Sequence, residues 1–330
     1  MLKKNKSFLD IFLYRVLFGV LAAVIATFGI SEFQAYAENK MSDQVAATVN
    51  GVPIYKREID VCMPKNSFGA FLEYRRESKL DSLIYVAIVK QFLDKEKIRI
   101  EDQRVDMRIE HLRKNPPTSS CSCCPYSSLE QFMRINDYTM NDLREETRIN
   151  MGLDSYMDRL WQLEYQTEEQ CSALVEKNRQ RLKEQYINVS HIFFSTSQDP
   201  KFYVDPDLAQ HRVMKKAESA FKRLKKGENF ETLAKEISED MVSRKNGGKL
   251  GCIKKNAYGL KFSNAATKLS PGQFSHPVNA LNGTHIIKRN EVTDKNILTI
   301  LKNQFIHRKK KEIIGKLKNE ATIVRYDKKK

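Results

Sequence analysis

The chain has 330 residues, 41% of them hydrophobic and 30% charged, and carries a formal charge of +16. That composition can bury a sizeable core and excludes a largely disordered chain, while the length accommodates two domains. A single long apolar stretch excludes a multi-span membrane protein, and the lack of a repeat with a period of roughly 20 to 50 residues excludes a solenoid.

Lys3, Lys4 and Lys6 precede an apolar run from Val16 to Ile30, and Ala35-Tyr36-Ala37 follows with small residues at the spacing a signal peptidase reads. Residues 1–37 are read as a secretory signal cut before Glu38. An uncleaved anchor, counted from Ile11 across Arg15, is the other reading. Removing the segment leaves a charge of about +14. Export argues against nucleic acid as the partner for that charge. An anionic membrane surface, a cell-wall polymer, acidic unfolded clients or simply a solvated lysine-rich face remain.

From Val45 the sequence VAATVNGVPIYKREIDV predicts a β-branched strand, an Asn50-Gly51 turn and a second short strand leading into a helix. Leu80, Leu83, Ile84, Ala87, Ile88 and Phe92 recur at three and four, as one face of an amphipathic helix does. Similar spacing over 102–114, 128–136 and 139–180 predicts a mostly helical region. The composition changes near Tyr186. INVSHIFF reads as a strand, and Asp205-Pro206 as the cap and first residue of a helix that turns Val213, Ala217, Ala220, Phe221 and Leu224 inward and ends at Gly227. Asn229 caps a shorter helix with Leu233 and Ile237 on one face. Then come GGKLG at 247–251, a short helix around Phe262, a Pro271-Gly272 turn and the strand THIIKRNEV. A basic helix over 294–319 and a short strand in ATIVRY close the chain ahead of the Lys328–Lys330 tail.

Six cysteines, Cys62, Cys121, Cys123, Cys124, Cys171 and Cys252, stand in a chain bound for an oxidising compartment, which makes disulfides the default. The cluster in PPTSSCSCCPYSS fits a loop tied to Cys62 or Cys171. Soft-metal binding with His111 or a remote cysteine is the alternative, although the spacing matches no standard pair of zinc ligands. Cys252 reads as a buried, unpaired thiol.

VSHIFF, ENFETLAKEISED, NGGKLGCI and LSPGQFSHPVNALNGTHIIK, in that order, resemble the parvulin family of peptidyl-prolyl isomerases over residues 186–292. VNGVPIYKREID, INDYTMNDLREETRI and the final helix with ATIVRY are similar to the exported foldases of the SurA and PrsA type. The resemblance implies an α+β protein. A helical chaperone-like region (38–185, completed by 293–330) would carry a small parvulin domain (186–292) with an antiparallel sheet and flanking helices, inserted before the C-terminal helix and strand. It implies a peptidyl-prolyl cis-trans isomerase acting without cofactor or metal on unfolded or newly exported polypeptides that contain proline. The alternative is a holdase whose parvulin domain is weak or inactive.

Carried over residue by residue, the resemblance places paired histidines at His191 and His285, Asp240 where some parvulins have cysteine, and Asn282 where a small hydroxyl residue is common. The proline pocket would be lined by Leu250, Tyr258 and Phe262, with Tyr258 departing from the usual Met or Leu. Physical reasoning agrees: rotation about an X-Pro bond faces a barrier of roughly 20 kcal/mol from amide resonance, so no group need be transferred. An apolar pocket and polar groups that favour the twisted amide suffice. The two histidines fit equally well as hydrogen-bonded core that holds the sheet together.

Overall fold

The computed structural model describes residues 44–60, 69–117, 126, 128–136, 138–280 and 283–326. The signal segment, Cys62, the Cys121, Cys123 and Cys124 cluster, Asn282 and the lysine tail lie outside them. The described residues divide into two compact units, one running to Tyr156 and resuming at Glu312, the other Met157–Lys311. The architecture is α+β, as expected.

In the first unit, β1 (Val45–Val49) and β2 (Val52–Tyr55) form the expected hairpin. Asn50 and Gly51 supply the two successive positive φ angles, 51° and 82°, that the tight turn requires. The closing strand β7 (Ile323–Arg325) pairs antiparallel with the other edge of β1, giving the order β2-β1-β7. The C-terminus thus completes a sheet begun near the start of the described chain. Arg325 fastens β7 to helix α2 (Gly69–Lys95) through ion pairs with Glu77 and Asp81. Between β2 and α2 lies the short α1 (Lys56–Asp60). The expected face of α2 is the one buried: Leu80, Ile84 and Ile88 pack on Ala46, Ala47, Val49 and Ile54. Helices α3 (Asp102–Lys114), α4 (Leu129–Ile135) and α5 (Met140–Glu164) add a second core of Val105, Ile109, Leu129 and Leu143.

The helical spacing expected over 139–180 is interrupted. Helix α5 stops at Glu164, and α6 (Glu168–Gln185) starts afresh behind Thr167. The Thr167 hydroxyl accepts the Gln170 N–H, and the Gln170 side chain accepts the Thr167 N–H in return. This reciprocal box satisfies two otherwise orphaned donors and favours a new start over continuation.

The second unit is built on a four-stranded antiparallel sheet in the order β4-β3-β6-β5, from β3 (Tyr186–Ser195), β4 (Lys249–Lys254), β5 (Val278–Ala280) and β6 (Gly283–Asn290). Alternation along β3 sends Ile192 and Phe194 to one face. There they meet Val213, Ala217, Ala220 and Leu224 of α7 (Pro206–Lys225), and Phe230, Leu233 and Ala234 of α8 (Phe230–Ile237). Both helices begin at the caps expected for them: Asp205 accepts the Leu208 N–H and Asn229 the Thr232 N–H. The other face carries Ile187, Val189 and Ile287 against Phe262 and Ala266 of α10 (Gly259–Thr267). Two covered faces explain why the strand carries buried apolar residues on both sides, Ile187 and Val189 on one and Ile192 and Phe194 on the other. The remaining helices are α9 (Met241–Arg244) and α11 (Asp294–Glu320), the latter the expected basic helix. Its first turns bury Ile297, Leu301 and Phe305 with Trp161, Val175, Leu182 and Tyr186.

Cys171 and Cys252 are unbridged thiols. The bridge expected from the cysteine cluster to Cys171 is therefore not made, and its other partner, Cys62, lies outside the described residues. Among the described residues no helix is long and apolar enough to cross a membrane.

Candidate active site

Register brings the two histidines together across 94 residues of chain. Strand β3 pairs with β6 so that Phe193 faces His285 and His191 faces Ile287, which sets both imidazoles on the α10 face of the sheet. Their Nδ1 atoms lie 3.1 Å apart, and each residue is only 2% exposed.

Asp240 reaches the same cluster from the loop between α8 and α9. That loop is latched to β3 at three points. The Phe193 N–H donates to Ser238 Oγ, the Glu239 N–H donates to the Phe193 carbonyl, and the Ser195 N–H donates to Glu239 Oε2. Asp240 then caps α9 with one oxygen, accepting the Val242 N–H at 3.2 Å, and turns the other to His191 Nε2 at 2.9 Å. The Ser243 hydroxyl donates to that second oxygen at 2.5 Å and stands 3.2 Å from the same imidazole nitrogen.

A carboxylate only accepts, so His191 carries a proton on Nε2. With one proton on each ring, His191 Nδ1 must accept, and His285 donates from its own Nδ1. Asp240 therefore sets the tautomer of both rings through one directed chain. Nitrogen-15 NMR of the imidazoles is expected to show His191 protonated at Nε2 and His285 at Nδ1; the reverse pattern at His285 would break the chain at that link. Burial by itself would raise the Asp240 pKa. Hydrogen bonds from His191, Ser243 and the Val242 N–H outweigh it and hold the carboxyl well below its ordinary range.

The apolar residues gather on the same side. Leu250, Tyr258 and Phe262 share one cluster with Val189 and Ile287. A register shift where β4 meets Val189 and Ser190 leaves Leu250 as the extra residue of a bulge. Tyr258 is fixed just ahead of α10 by a turn in which the Ala257 N–H donates to the Lys254 carbonyl and the Gly259 N–H to that of Asn256. Its ring stacks on Phe262 at 5.0 Å and meets His191 edge-on at 5.9 Å. Burial, then the negative charge of Asp240, raise its phenol pKa. Phe262 is almost wholly buried and lies edge-on to His285 at 5.2 Å, as a floor below the more open Leu250 and Tyr258.

Of the seven residues singled out from the sequence, six come together here. Asn282 lies outside the described residues. Two members escaped the sequence reading. Phe193 stacks on His191 at 5.9 Å with ring planes 8° apart and lies 4.6 Å from His285; its signal was its place two residues along the strand from His191. Ser243 is 3% exposed, and its signal was a hydroxyl three residues after a capping aspartate. Cys252 is not an activated nucleophile, since burial raises its pKa despite Arg289 nearby.

Residues 191–291 match the family model described as rotamase, PPIC-type PPIase domain. The chain is 24% identical to "Foldase protein PrsA" of Caldanaerobacter subterraneus subsp. tengcongensis over 77% of this chain and 68% of that protein. It is 39% identical to "Foldase protein PrsA 2" of Bacillus anthracis over 28% of this chain and 34% of the relative. Among solved structures, that of PrsA from Bacillus subtilis aligns over 87% of this chain and 96% of its own, with 24% identity and a TM-score of 0.44. Residues 191–291 are a parvulin-type peptidyl-prolyl isomerase domain, and the chain that carries them is similar to foldase proteins PrsA.

Proposed function

We propose that the protein is an exported foldase that speeds cis/trans rotation of X-Pro bonds in unfolded polypeptides once they have crossed a membrane, by a non-covalent route. Residues 186–292 form its isomerase domain, inserted between the two parts of a helical chaperone region (38–185 and 293–330). The observation that carries this reading is the Asp240-His191-His285 chain set beneath the apolar cluster of Leu250, Tyr258 and Phe262. The pyrrolidine ring sits on Leu250 and Tyr258 with Phe262 as floor, while the polar chain fixes the field around the amide as it loses planarity. Export rests on the signal-like residues 1–37.

A second activity, holding clients, is favoured by the first unit. An open cleft of about 470 Å³ there is lined by Phe71, Tyr74, Ile135 and Tyr138, and the first three are more than half exposed. Apolar side chains left in water around a cleft suit an extended, unfolded partner better than a folded one. The basic surface admits an anionic membrane or wall polymer as a further partner.

The test is NMR exchange on a short Xaa-Pro peptide with the full chain, beside suppression of aggregation of an unfolded client. Enhanced exchange, lost in His285→Ala, is the expected result. Suppressed aggregation with no enhancement by folded protein would leave only the holding activity.

A further inference from the structure

The polar groups of the cluster are almost fully committed. His191 uses both ring nitrogens, Nδ1 toward His285 and Nε2 toward Asp240 and Ser243. Ser243 spends its proton on Asp240, and Asp240 is an acceptor occupied at both oxygens. His285 is buried behind its partner and makes more contacts than the one to His191. Tyr258 is different. Its ring is held between Phe262 and the histidines, yet its hydroxyl makes no hydrogen bond among the described residues. A half-buried phenol with no hydrogen-bond partner among the described residues, close enough to Asp240 to sense its charge, is a donor left open within the apolar cluster that forms the proposed proline pocket.

Amide chemistry says what such a donor acts on. In the planar X-Pro amide the nitrogen lone pair is delocalised into the carbonyl and accepts poorly. At the twisted geometry the pair localises on nitrogen, which becomes a good acceptor. A hydrogen bond to that nitrogen exists only in the transition state and lowers the barrier, whereas one to the carbonyl oxygen stabilises the planar ground state as well. We propose that the Tyr258 hydroxyl donates a hydrogen bond to the prolyl nitrogen of the twisted substrate, making Tyr258 a catalytic residue as well as a wall of the proline pocket. Its raised pKa keeps the proton in place at any ordinary pH. The Met or Leu that the parvulin resemblance expects here has no such donor, so this chain carries a catalytic group of its own.

The proposal rests on the isomerase reading, and the experiment separates the two. Exchange of a short Xaa-Pro peptide is measured by NMR with full-chain wild type, Tyr258→Phe and Tyr258→Met, over a range of peptide concentrations. Tyr258→Phe removes one oxygen and keeps the ring stack. Losing a neutral hydrogen bond made only in the transition state lowers kcat and kcat/KM together by about tenfold, with KM within about twofold of wild type. Tyr258→Met should show the same loss of kcat, and it keeps the test open if the phenylalanine variant misfolds. A kcat within about twofold of wild type in either folded variant overturns the proposal and leaves the isomerase reading intact. So does a rise in KM alone, because it marks uniform binding. A wild type that gives no enhancement overturns the isomerase reading, and this proposal with it.

Discussion

Gly248→Ala is expected to cost the isomerase domain about 3 to 5 kcal/mol, enough to consume much of the stability of an ordinary domain. Gly248 has a φ of +78°, and a Cβ built there would stand 2.1 Å from the His191 carbonyl oxygen and 3.2 Å from the Ala234 Cβ. The left-handed conformation alone costs an alanine about 1 to 2 kcal/mol. The larger part is the contact. Gly248 accepts the His191 N–H at 2.8 Å, so the backbone cannot withdraw without breaking that bond and moving the histidine. Gly272→Ala is the control, because its φ is +87° with nothing within 4 Å of the added carbon; only the conformational cost applies. Trp161, the sole tryptophan, packs in the core of the same unit and reports unfolding in urea. If the two variants lose the same stability, close approach to His191 is not what requires glycine at 248.

The caps at Asp205 and Asn229, the turn at Asn50 and the buried face of α2 were legible in the sequence. All of these are local: a residue type dictates a dihedral angle or satisfies a neighbouring amide. Elements lacking such punctuation were harder to see. Strand β5 is three residues long and follows a loop, so it offers no alternation to read. The break at 165–167 was hidden because apolar spacing runs on past it, while the Thr167 to Gln170 box that ends the register is a polar signal.

The site divides along the same line. Its residues could be named because four ordered blocks resemble a known family, but periodicity could not have placed His191 against His285, since that contact depends on the register of two strands distant in sequence. Nor could composition show how Asp240 spends its oxygens, which follows from three hydrogen bonds that latch residues 238–239 onto β3. The phenol of Tyr258 entered as a departure from the family pattern. Its open hydroxyl is a property of the packed cluster alone.

Asp240→Ala is expected to lower kcat on the order of a hundredfold, the scale seen when one preorganised electrostatic partner is removed from a reacting site. Loss of the carboxylate does not by itself flip His191, because Ser243 Oγ at 3.2 Å remains as an acceptor for the Nε2 proton. The single variant should therefore fold, and its defect measures the missing charge. Adding Ser243→Ala removes the second acceptor, frees His191 to exchange tautomers and reverses the hydrogen bond to His285. The double variant is expected to lose more activity than the two single effects combined. Additive losses would mean that tautomer control contributes nothing. The same carboxylate imposes a pH dependence on stability. Its folded-state pKa is depressed, so at acid pH the unfolded chain binds the proton more readily and stability rises with pH. The contribution is fully present above about pH 4, the unfolded carboxyl value, and declines below it until the pH passes the folded-state pKa. Wild type should thus be more stable than Asp240→Asn in urea at pH 7, and its advantage should shrink steadily below pH 4. An advantage that stays constant to pH 2.5 would place its origin in packing and not in the charge.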